Sequence, residues 1–171
     1  MDGSNAYFTE TQRFRQPWLW AIIVAVDILI ISGILSEMQK IKSDARATLI
    51  FAAAIASLTI VLFLILRLET KITGEGIYYR FYPFQFKFKV IRWEQISNAH
   101  VRTYKPFGEY GGWGIRFGLR GTGMAYNVSG NRGLQLELTN GKKILLGTQR
   151  PQELERVLIQ LNKNSSGRGH L

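Results

Sequence analysis

The sequence predicts a membrane-anchored α+β protein: a two-helix transmembrane hairpin, followed by about seven strands and a C-terminal helix. Two long apolar runs indicate the hairpin, and period-two alternation from Ile72 onward indicates strands. We therefore divide the chain into a juxtamembrane segment (1–17), the hairpin (18–68, with spans at 18–35 and 49–66), the β-rich domain (69–163) and a disordered tail (164–171).

Both apolar runs are long enough to cross a bilayer. Trp18–Leu35 carries Asp27 as its only charged residue, and Leu49–Leu66 carries none. A hydrocarbon core of about 30 Å needs about 20 apolar residues in a helix. Neither run is amphipathic, and a chain of 171 residues is too short to bury two such helices on all sides. A cleaved signal peptide is disfavoured because no A-x-A-like site follows the first run.

Cations around the two runs favour cytoplasmic termini. Five lie near the spans on the side shared by the termini (Arg13, Arg15, Arg67, Lys71 and Arg80), against three in the linker (Lys40, Lys42 and Arg46). Lys and Arg are enriched in cytoplasmic loops. We expect a multi-pass protein of the inner (plasma) membrane with the termini and the β-rich domain in the cytoplasm.

Asp27 lies in the middle of the first span. A charge at the bilayer centre costs about 2.5–3.5 kcal/mol on insertion scales, so we expect Asp27 to face the hairpin interior or a second copy. A hydrogen bond between helices is the structural interpretation, and an ion or proton path is the functional one. Small residues spaced for close helix approach, Ala52 with Ala56 or Ala53 with Ser57, occur on the second run.

Strand signals fill the β-rich domain. Ile77, Tyr79 and Phe81 alternate with polar residues, and after Pro83 a second alternation predicts a buried Phe84/Phe86/Phe88 face opposite exposed Lys87 and Lys89. Further candidates are 96–104, 114–120, 124–128, 134–139 and 143–147. Asn140-Gly141 predicts a hairpin turn, and Pro151 followed by apolar residues at i, i+3, i+4 and i+7 from Leu154 predicts the closing helix.

Three motifs carry a family resemblance. They are Tyr78-Tyr79-Arg80, the segment 91–96 (IRWEQI) and the segment 147–154 (GTQRPQEL). With the strand and helix order, they resemble small bacterial membrane proteins that have a two-helix anchor and a C-terminal pleckstrin-homology-like (PH-like) domain. The resemblance implies a PH-like β-sandwich or barrel whose helix plugs one end. It implies no particular ligand, since one fold serves many functions.

Nothing in the sequence indicates catalysis, a cofactor or a metal site. Cysteine is absent, and the two histidines, His100 and His170, have no ligand-spaced partners. The Gly-rich stretch 108–114 lacks both a dinucleotide fingerprint and a P-loop lysine. Aromatics and cations interleave in 78–93, as in single-strand nucleic-acid platforms, but a bent sheet that buries aromatics explains the same pattern. We expect a non-enzymatic protein that does not bind nucleic acid.

Positive charge is concentrated in the C-terminal part, where residues 69–171 hold sixteen Lys/Arg against seven Asp/Glu. Anionic lipids of the cytoplasmic leaflet attract such residues, although solubility and the positive-inside bias also account for them. We expect a binding module that contacts anionic lipid headgroups or a membrane-protein partner. The alternative is an assembly protein whose domain forms homo-oligomers. Candidate headgroup residues are Lys71, Arg80, Lys87, Lys89 and Arg92.

The segment Tyr104–Trp113 predicts a loop that binds a partner or a second copy. Glycine and proline exclude a regular strand through its centre, and aromatics in a solvated loop resemble interface anchors. The candidate residues are Lys105, Phe107, Tyr110 and Trp113. Tyr110, flanked by glycines, is expected to lie outside the core, whereas Phe107 and Trp113 have capping of the sheet as an alternative role.

Overall fold

The computed structural model describes residues 6–38, 45–118 and 121–166. The chain forms two units: residues 14–66 are one, and residues 1–13 with 67–171 are the other. This division differs from the predicted domain boundaries, because the N-terminal segment belongs to the β unit. The middle of the predicted linker (39–44) and most of the predicted disordered tail (167–171) lie outside the described residues, while 164–166 continue the last helix.

The helical unit consists of α1 (Pro17–Met38) and α2 (Ala45–Ile65), which contact each other. The stretch Pro17–Ser36 is long and apolar enough to cross a membrane, and only 11% of it is buried. Among the described side chains, the apolar stretch of α2 is shorter, Ile50–Ile65. Of the two predicted spans, one therefore meets the requirement of length and composition within the described residues, and the second stays a prediction.

The β unit contains two sheets. Sheet A is antiparallel, in the order β1 (Ala6–Arg13), β2 (Arg67–Thr73), β3 (Gly76–Tyr82), β4 (Lys89–Arg92). Sheet B contains β5 (Ile96–Thr103), β6 (Gly114–Phe117), β7 (Met124–Asn127), β8 (Arg132–Leu138) and β9 (Lys143–Gly147), in the order β5-β8-β9-β7-β6. The β7–β9 pair is parallel. The described part of the unit also contains α3 (Pro106–Tyr110), α4 (Pro151–Ser166) and a short 3-10 helix at Trp93–Gln95.

The strands of sheet B and the closing helix agree with the sequence within a few residues. Gly141 has a φ of 79°, as the predicted Asn140-Gly141 turn requires. The strand predicted after Pro83 is wrong, because Gln85 donates its backbone N–H to the Phe81 carbonyl and turns the chain; β4 begins only at Lys89. β1 and β2 were not predicted as strands, although buried and exposed residues alternate in both.

The core of the β unit lies between the sheets and beneath α4. Sheet A contributes alternate residues such as Leu68, Ile77 and Tyr79, and the Tyr79 ring meets that of Tyr126 in sheet B at 4.9 Å between centroids. The apolar stripe of α4 is buried at Leu154 and Val157, and α4 contacts β5, β8 and β1. These contacts bury apolar area and join α4 to both sheets.

The N-terminal strand is fixed by polar contacts to the segment before α4. The buried Glu10 carboxylate accepts hydrogen bonds from the Thr148 hydroxyl at 2.7 Å and the Gln149 N–H at 2.8 Å. The Arg150 guanidinium donates to the Thr9 carbonyl at 2.9 Å. Buried polar groups need partners of this kind, so β1 is an integral part of the unit.

Candidate functional site

The outward side of sheet A forms a surface of cations and aromatic rings. Successive side chains of a strand point to opposite faces, and from Phe8 to Arg13, Arg67 to Thr73 and Ile77 to Tyr82 the inward positions are buried while the outward ones are not. We call the outward set the basic–aromatic face. It comprises Arg13, Arg67, Lys71, Arg80, Tyr78 and Tyr82 from the strands, with Phe86 and Phe88 from the segment 83–88.

Strand register places these side chains in rows. Arg13 pairs with Arg67, which pairs with Tyr82, and Thr11 lies in line with Glu69 and Arg80. The Arg67 guanidinium carbon lies 4.7 Å from the centroid of the Tyr82 ring, a cation–π contact. The first row lies at the end of the sheet where the chain leaves for α1 and returns from α2.

Glu69 is the carboxylate among these cations. It accepts hydrogen bonds from Arg67 and, at 2.7 Å, from Arg80. Burial alone would raise its pKa, but the hydrogen bonds and charges of Arg80 and Arg67 outweigh burial, so the pKa of Glu69 lies below its ordinary value. Glu69 is therefore ionised at neutral pH and orients both guanidinium groups on the face.

Phe88 packs over two of the cations, Arg80 and Lys71. The Arg80 guanidinium carbon lies 4.4 Å from the Phe88 ring centroid, and the Lys71 ammonium lies 5.1 Å from it. Arg80 also donates to the Phe86 carbonyl at 3.0 Å. The candidate cations Lys71 and Arg80 are thus adjacent, but each already contacts an aromatic ring.

The segment 83–88 exposes two phenylalanines that were expected to be buried. Phe84 is 63% exposed and Phe86 is 70% exposed, so the predicted Phe84/Phe86/Phe88 inner face is wrong. One side of the Phe84 ring stacks on Phe81 at 6.3 Å, and Phe86 meets Tyr82 edge-on at 5.6 Å. The chain turn at Gln85 breaks the period of two and rotates both rings outward.

The remaining headgroup candidates are dispersed. Lys87 is exposed within the segment 83–88. Lys89 is also exposed, but it pairs with Tyr79 and therefore occupies an inward position of β4, 6.0 Å from the Tyr126 ring. Arg92 pairs with Gly76 at the opposite end of sheet A from Arg67. The five candidates therefore do not form one cluster.

The segment Tyr104–Trp113 contains α3, and Tyr110 belongs to the core. Tyr110 is 2% exposed, packs edge-on against the buried Tyr104 ring at 5.9 Å, and donates its hydroxyl proton to the Thr122 carbonyl at 3.2 Å. The expectation that Tyr110 lies outside the core was wrong. Gly111, in the left-handed conformation (φ 68°), ends α3 and turns the chain after Tyr110.

An ion pair holds this segment to β5. Arg102 donates to Glu109 at 2.7 Å, and the Lys105 N–H donates to the other Glu109 oxygen at 2.7 Å. The Arg102 hydrogen bond lowers the pKa of Glu109, while burial raises the pKa of Tyr104 to about 12.

Of the partner candidates, Lys105 and Phe107 remain exposed. The half-buried Trp113 donates its indole N–H to the Gly130 carbonyl at 2.9 Å and contacts the Phe107 ring at 5.0 Å.

Asp27 is 7% exposed, on the same side of α1 as the buried Ile23. On α2, Ala52 and Ala56 are buried, whereas Ala53 is exposed. Of the two predicted pairs of small residues, the pair Ala52 with Ala56 is therefore the buried one. The Asp27 Oδ2 atom has no hydrogen-bond partner among the described residues. Asp27 is thus buried in the helical unit, which agrees with one of the two predicted placements, the hairpin interior.

Sequence reasoning did not assign Arg13, Arg67, Tyr82 or Phe86 to the face. The alternation of polar and apolar residues in β2, from Arg67 to Ile72, could have indicated a strand with Arg67 on its outward side.

Within 6–38, 45–118 and 121–166, no three His, Cys, Asp or Glu side chains come together as a metal site. Comparison of the chain with protein families, curated proteins and solved structures gave no match.

Proposed function

We propose that this protein is a membrane-anchored, non-enzymatic binding module whose basic–aromatic face contacts anionic lipid headgroups. The anchor is a transmembrane hairpin of α1 and α2. The observation that carries the proposal is the pairing of β1 with β2 around an inserted pair of helices with exposed apolar side chains. Ile28, Leu29, Phe51 and Leu58 are each at least 60% exposed, an arrangement that is costly in water and favourable in lipid.

The pairing of β1 with β2 supports two spans rather than one. Arg13 and Arg67 are register partners, so the chain returns from the helices to the place it left. If α1 crosses the membrane, α2 must cross back. A helix of 21 residues is about 32 Å long at 1.5 Å per residue, which matches a hydrocarbon core of about 30 Å.

The same pairing supports retention of the first helix in the mature protein. Cleavage after α1 would remove β1, together with the hydrogen bonds of Glu10 to Thr148 and Gln149. An apolar helix near an N-terminus otherwise fits a signal sequence equally well.

Covalent continuity supports headgroup contact. β2 begins two residues after the end of α2, and a residue spans at most about 3.6 Å, so Arg67 lies within about 7 Å of the helix end. Each Lys or Arg near an anionic leaflet contributes about 1 kcal/mol of attraction. The β unit would be PH-like, with two packed sheets and a closing helix, but with a first strand supplied from before the anchor.

Two experiments on the full-length protein test this proposal. Single cysteines at Ser43 and Gln160 are treated with an impermeant maleimide on intact cells; we expect the cysteine at 43 to react and the cysteine at 160 to react only after the cells are opened, and the reverse pattern would reverse the orientation. Next, a photoreactive side chain at Thr11, beside Glu69 on the face, is compared with one at Asn140. Thr11 should crosslink to phosphatidylserine in proteoliposomes more than Asn140 does, and equal crosslinking of both would contradict headgroup contact.

Asn140 is a suitable control because it lies at the far end of the β unit. The neighbouring Thr139 donates its N–H to the Gln95 carbonyl, and Trp93 donates to the Glu75 carbonyl in the β2–β3 turn. That turn lies at the other end of β2 from Arg67. The control therefore tests which end of the β unit faces the lipid.

A second candidate function, homo-oligomerisation, is favoured by one observation. β6 is an edge strand of sheet B, and its Phe117 side chain is 79% exposed. An exposed strand edge with an apolar side chain is a template for pairing with another strand. Association through β6 would cluster the anchors without using the basic–aromatic face.

A further inference from the structure

Among the described residues from β2 to β4, Phe84 and Phe86 have the most exposed aromatic rings, and one residue separates them. Both lie in the segment 83–88 between β3 and β4, and Lys87 follows them directly. Soluble surfaces rarely keep two neighbouring phenylalanines in water without a partner. Their position in the sheet indicates what that partner is.

The segment starts at the end of the sheet nearest the anchor. It follows Tyr82, whose register partner is Arg67, and Arg67 comes two residues after α2. A strand residue advances about 3.3 Å, so Phe84 and Phe86 leave the sheet at the level where α2 ends rather than at the Gly76 end, about 20 Å away. Chain connectivity therefore supports a position of these rings close to the end of the proposed span.

The segment is held in one conformation. The Phe81 and Gln85 residues exchange two hydrogen bonds, from the Gln85 N–H to the Phe81 carbonyl at 2.9 Å and from the Phe81 N–H to Gln85 Oε1 at 3.1 Å. Arg80 donates to the Phe86 carbonyl. The rings are therefore presented by a preorganised turn, and little conformational entropy is lost when they bind.

The charges around the two rings match a lipid interface. Arg67 and Arg80 lie on the face beside them, and Lys87 lies within the segment. Aromatic side chains that project further than the neighbouring cations can reach past the lipid phosphates towards the acyl chains. The cations then remain at the level of the phosphates. Glu69, the acidic residue in this region, is already neutralised by the two arginines.

We propose that Phe84 and Phe86 insert into the headgroup–acyl boundary of the same membrane that α1 and α2 cross. The inference rests on the proposed function and deepens it, because it names the lipid-contacting residues and their depth. The occupant is lipid rather than a protein, because the chain already holds the segment at the end of the span. The insertion fixes the orientation of the β unit at the membrane, since the anchor already keeps the β unit there.

The test uses full-length protein in phosphatidylcholine–phosphatidylserine proteoliposomes. The native chain has no cysteine, so single cysteines at Phe84, Phe86, Phe117 and Ile28 each take one environment-sensitive NBD fluorophore. Phe117 is the matched control, since it is a phenylalanine outside the segment that is more exposed, at 79%, than either Phe84 or Phe86. Ile28, exposed in the middle of α1, reports on the span itself. The quencher is a lipid with a nitroxide near the top of the acyl chain.

We expect quenching at Phe84 and Phe86 at least about threefold stronger than at Phe117, because interfacial side chains reach about 5–10 Å into the boundary. A second lipid, with its nitroxide deep in the acyl chain, is the quencher for Ile28 and should quench the probe there. Quenching at Ile28 with none above the Phe117 level at Phe84 and Phe86 overturns the inference and leaves the anchor standing. No quenching at Ile28 overturns both.

Discussion

The side-chain amide of Gln12 donates a hydrogen bond of 2.6 Å to the carbonyl of Gly147, and both residues are buried. This contact joins the first strand of the chain to the last. It explains why a segment separated from the rest of the β unit by both helices is nevertheless part of its interior. The folding unit is therefore discontinuous, and residues 67–171 are incomplete without residues 6–13.

The β unit is expected to fold without the helices if β1 is supplied. Arg13 and Arg67 are register partners in antiparallel strands, so a two-residue Asn-Gly turn can replace residues 14–66. This shortened protein should unfold cooperatively on heating, as followed by circular dichroism. Residues 69–171 alone should show no cooperative transition, and equal cooperativity of the two proteins would contradict the role of β1.

Replacing Gln12 tests the strand contact directly. In the shortened protein, Gln12→Ala leaves the buried Gly147 carbonyl without its donor, and we expect a loss of about 1–3 kcal/mol in the free energy of unfolding. Thr11→Ala is the control, because Thr11 is exposed on the same strand and should change stability by less than about 0.5 kcal/mol. Urea denaturation measures both. Similar losses would mean that β1 contributes only through its backbone.

Tyr110 should matter for stability and not for association. Tyr110→Ala removes a ring packed against Tyr104, and we expect a loss of about 3–5 kcal/mol. Tyr110→Phe keeps the ring and removes the hydrogen bond to Thr122, with an expected loss of about 1 kcal/mol. Phe107→Ala, at a 66% exposed neighbour, should leave the melting temperature almost unchanged. A stable Tyr110→Ala variant would contradict the core assignment.

The Arg102–Glu109 pair should stabilise the fold at neutral pH and lose that effect in acid. The pKa of Glu109 is lowered in the folded state by the Arg102 hydrogen bond, so the unfolded chain binds protons more readily than the folded one. The stabilisation is present above about pH 4.5 and disappears as the pH falls through the lower folded-state pKa. A double-mutant cycle with Arg102→Gln and Glu109→Gln should give about 0.5–1 kcal/mol at pH 7 and almost nothing at pH 2. A pH-independent coupling would show that packing, not charge, joins the two residues.

The edge strand β6 offers a test of self-association. Phe117→Lys places a charge on the free edge, which opposes strand pairing between copies. We expect the full-length protein in detergent to shift from oligomer to monomer in light scattering if β6 mediates association. Phe107→Lys is the control at another exposed phenylalanine, which lies outside β6. An unchanged mass for the Phe117→Lys variant removes this second candidate function.

The sequence predicted the elements whose inward positions are apolar. In α4, β8 and β9, hydrophobic spacing and turn residues suffice, because Leu154, Leu134 and Leu145 mark the buried side. β1 escaped prediction because two of its three inward positions are Glu10 and Gln12, so no apolar period is visible. Only their distant partners, Thr148 and Gly147, make those residues suitable for the interior.

The candidate surface was only partly predictable for a related reason. Lys71 and Arg80 could be selected from charge, but the segment 83–88 has the alternation of a strand and forms a turn instead. The Gln85 side-chain oxygen accepts the Phe81 N–H and so favours a turn over a strand, and the hydrophobic periodicity of the sequence does not reveal such a contact. Tyr110 was misassigned because its flanking glycines suggested exposure, whereas Gly111 serves to end α3.

The insertion of the helices between β1 and β2 sets the order of events during synthesis. β1 emerges from the ribosome before either helix, and its partner emerges only after both, so sheet A cannot close until the hairpin has been made. In the proposed two-span topology, entry of only one helix into the bilayer would leave β1 and β2 on opposite sides of it, and sheet A could not form. Pairing of β1 with β2 would therefore distinguish chains in which both helices behave alike from chains in which only one has inserted, and the unpaired strands of the latter would expose them to chaperones and proteases.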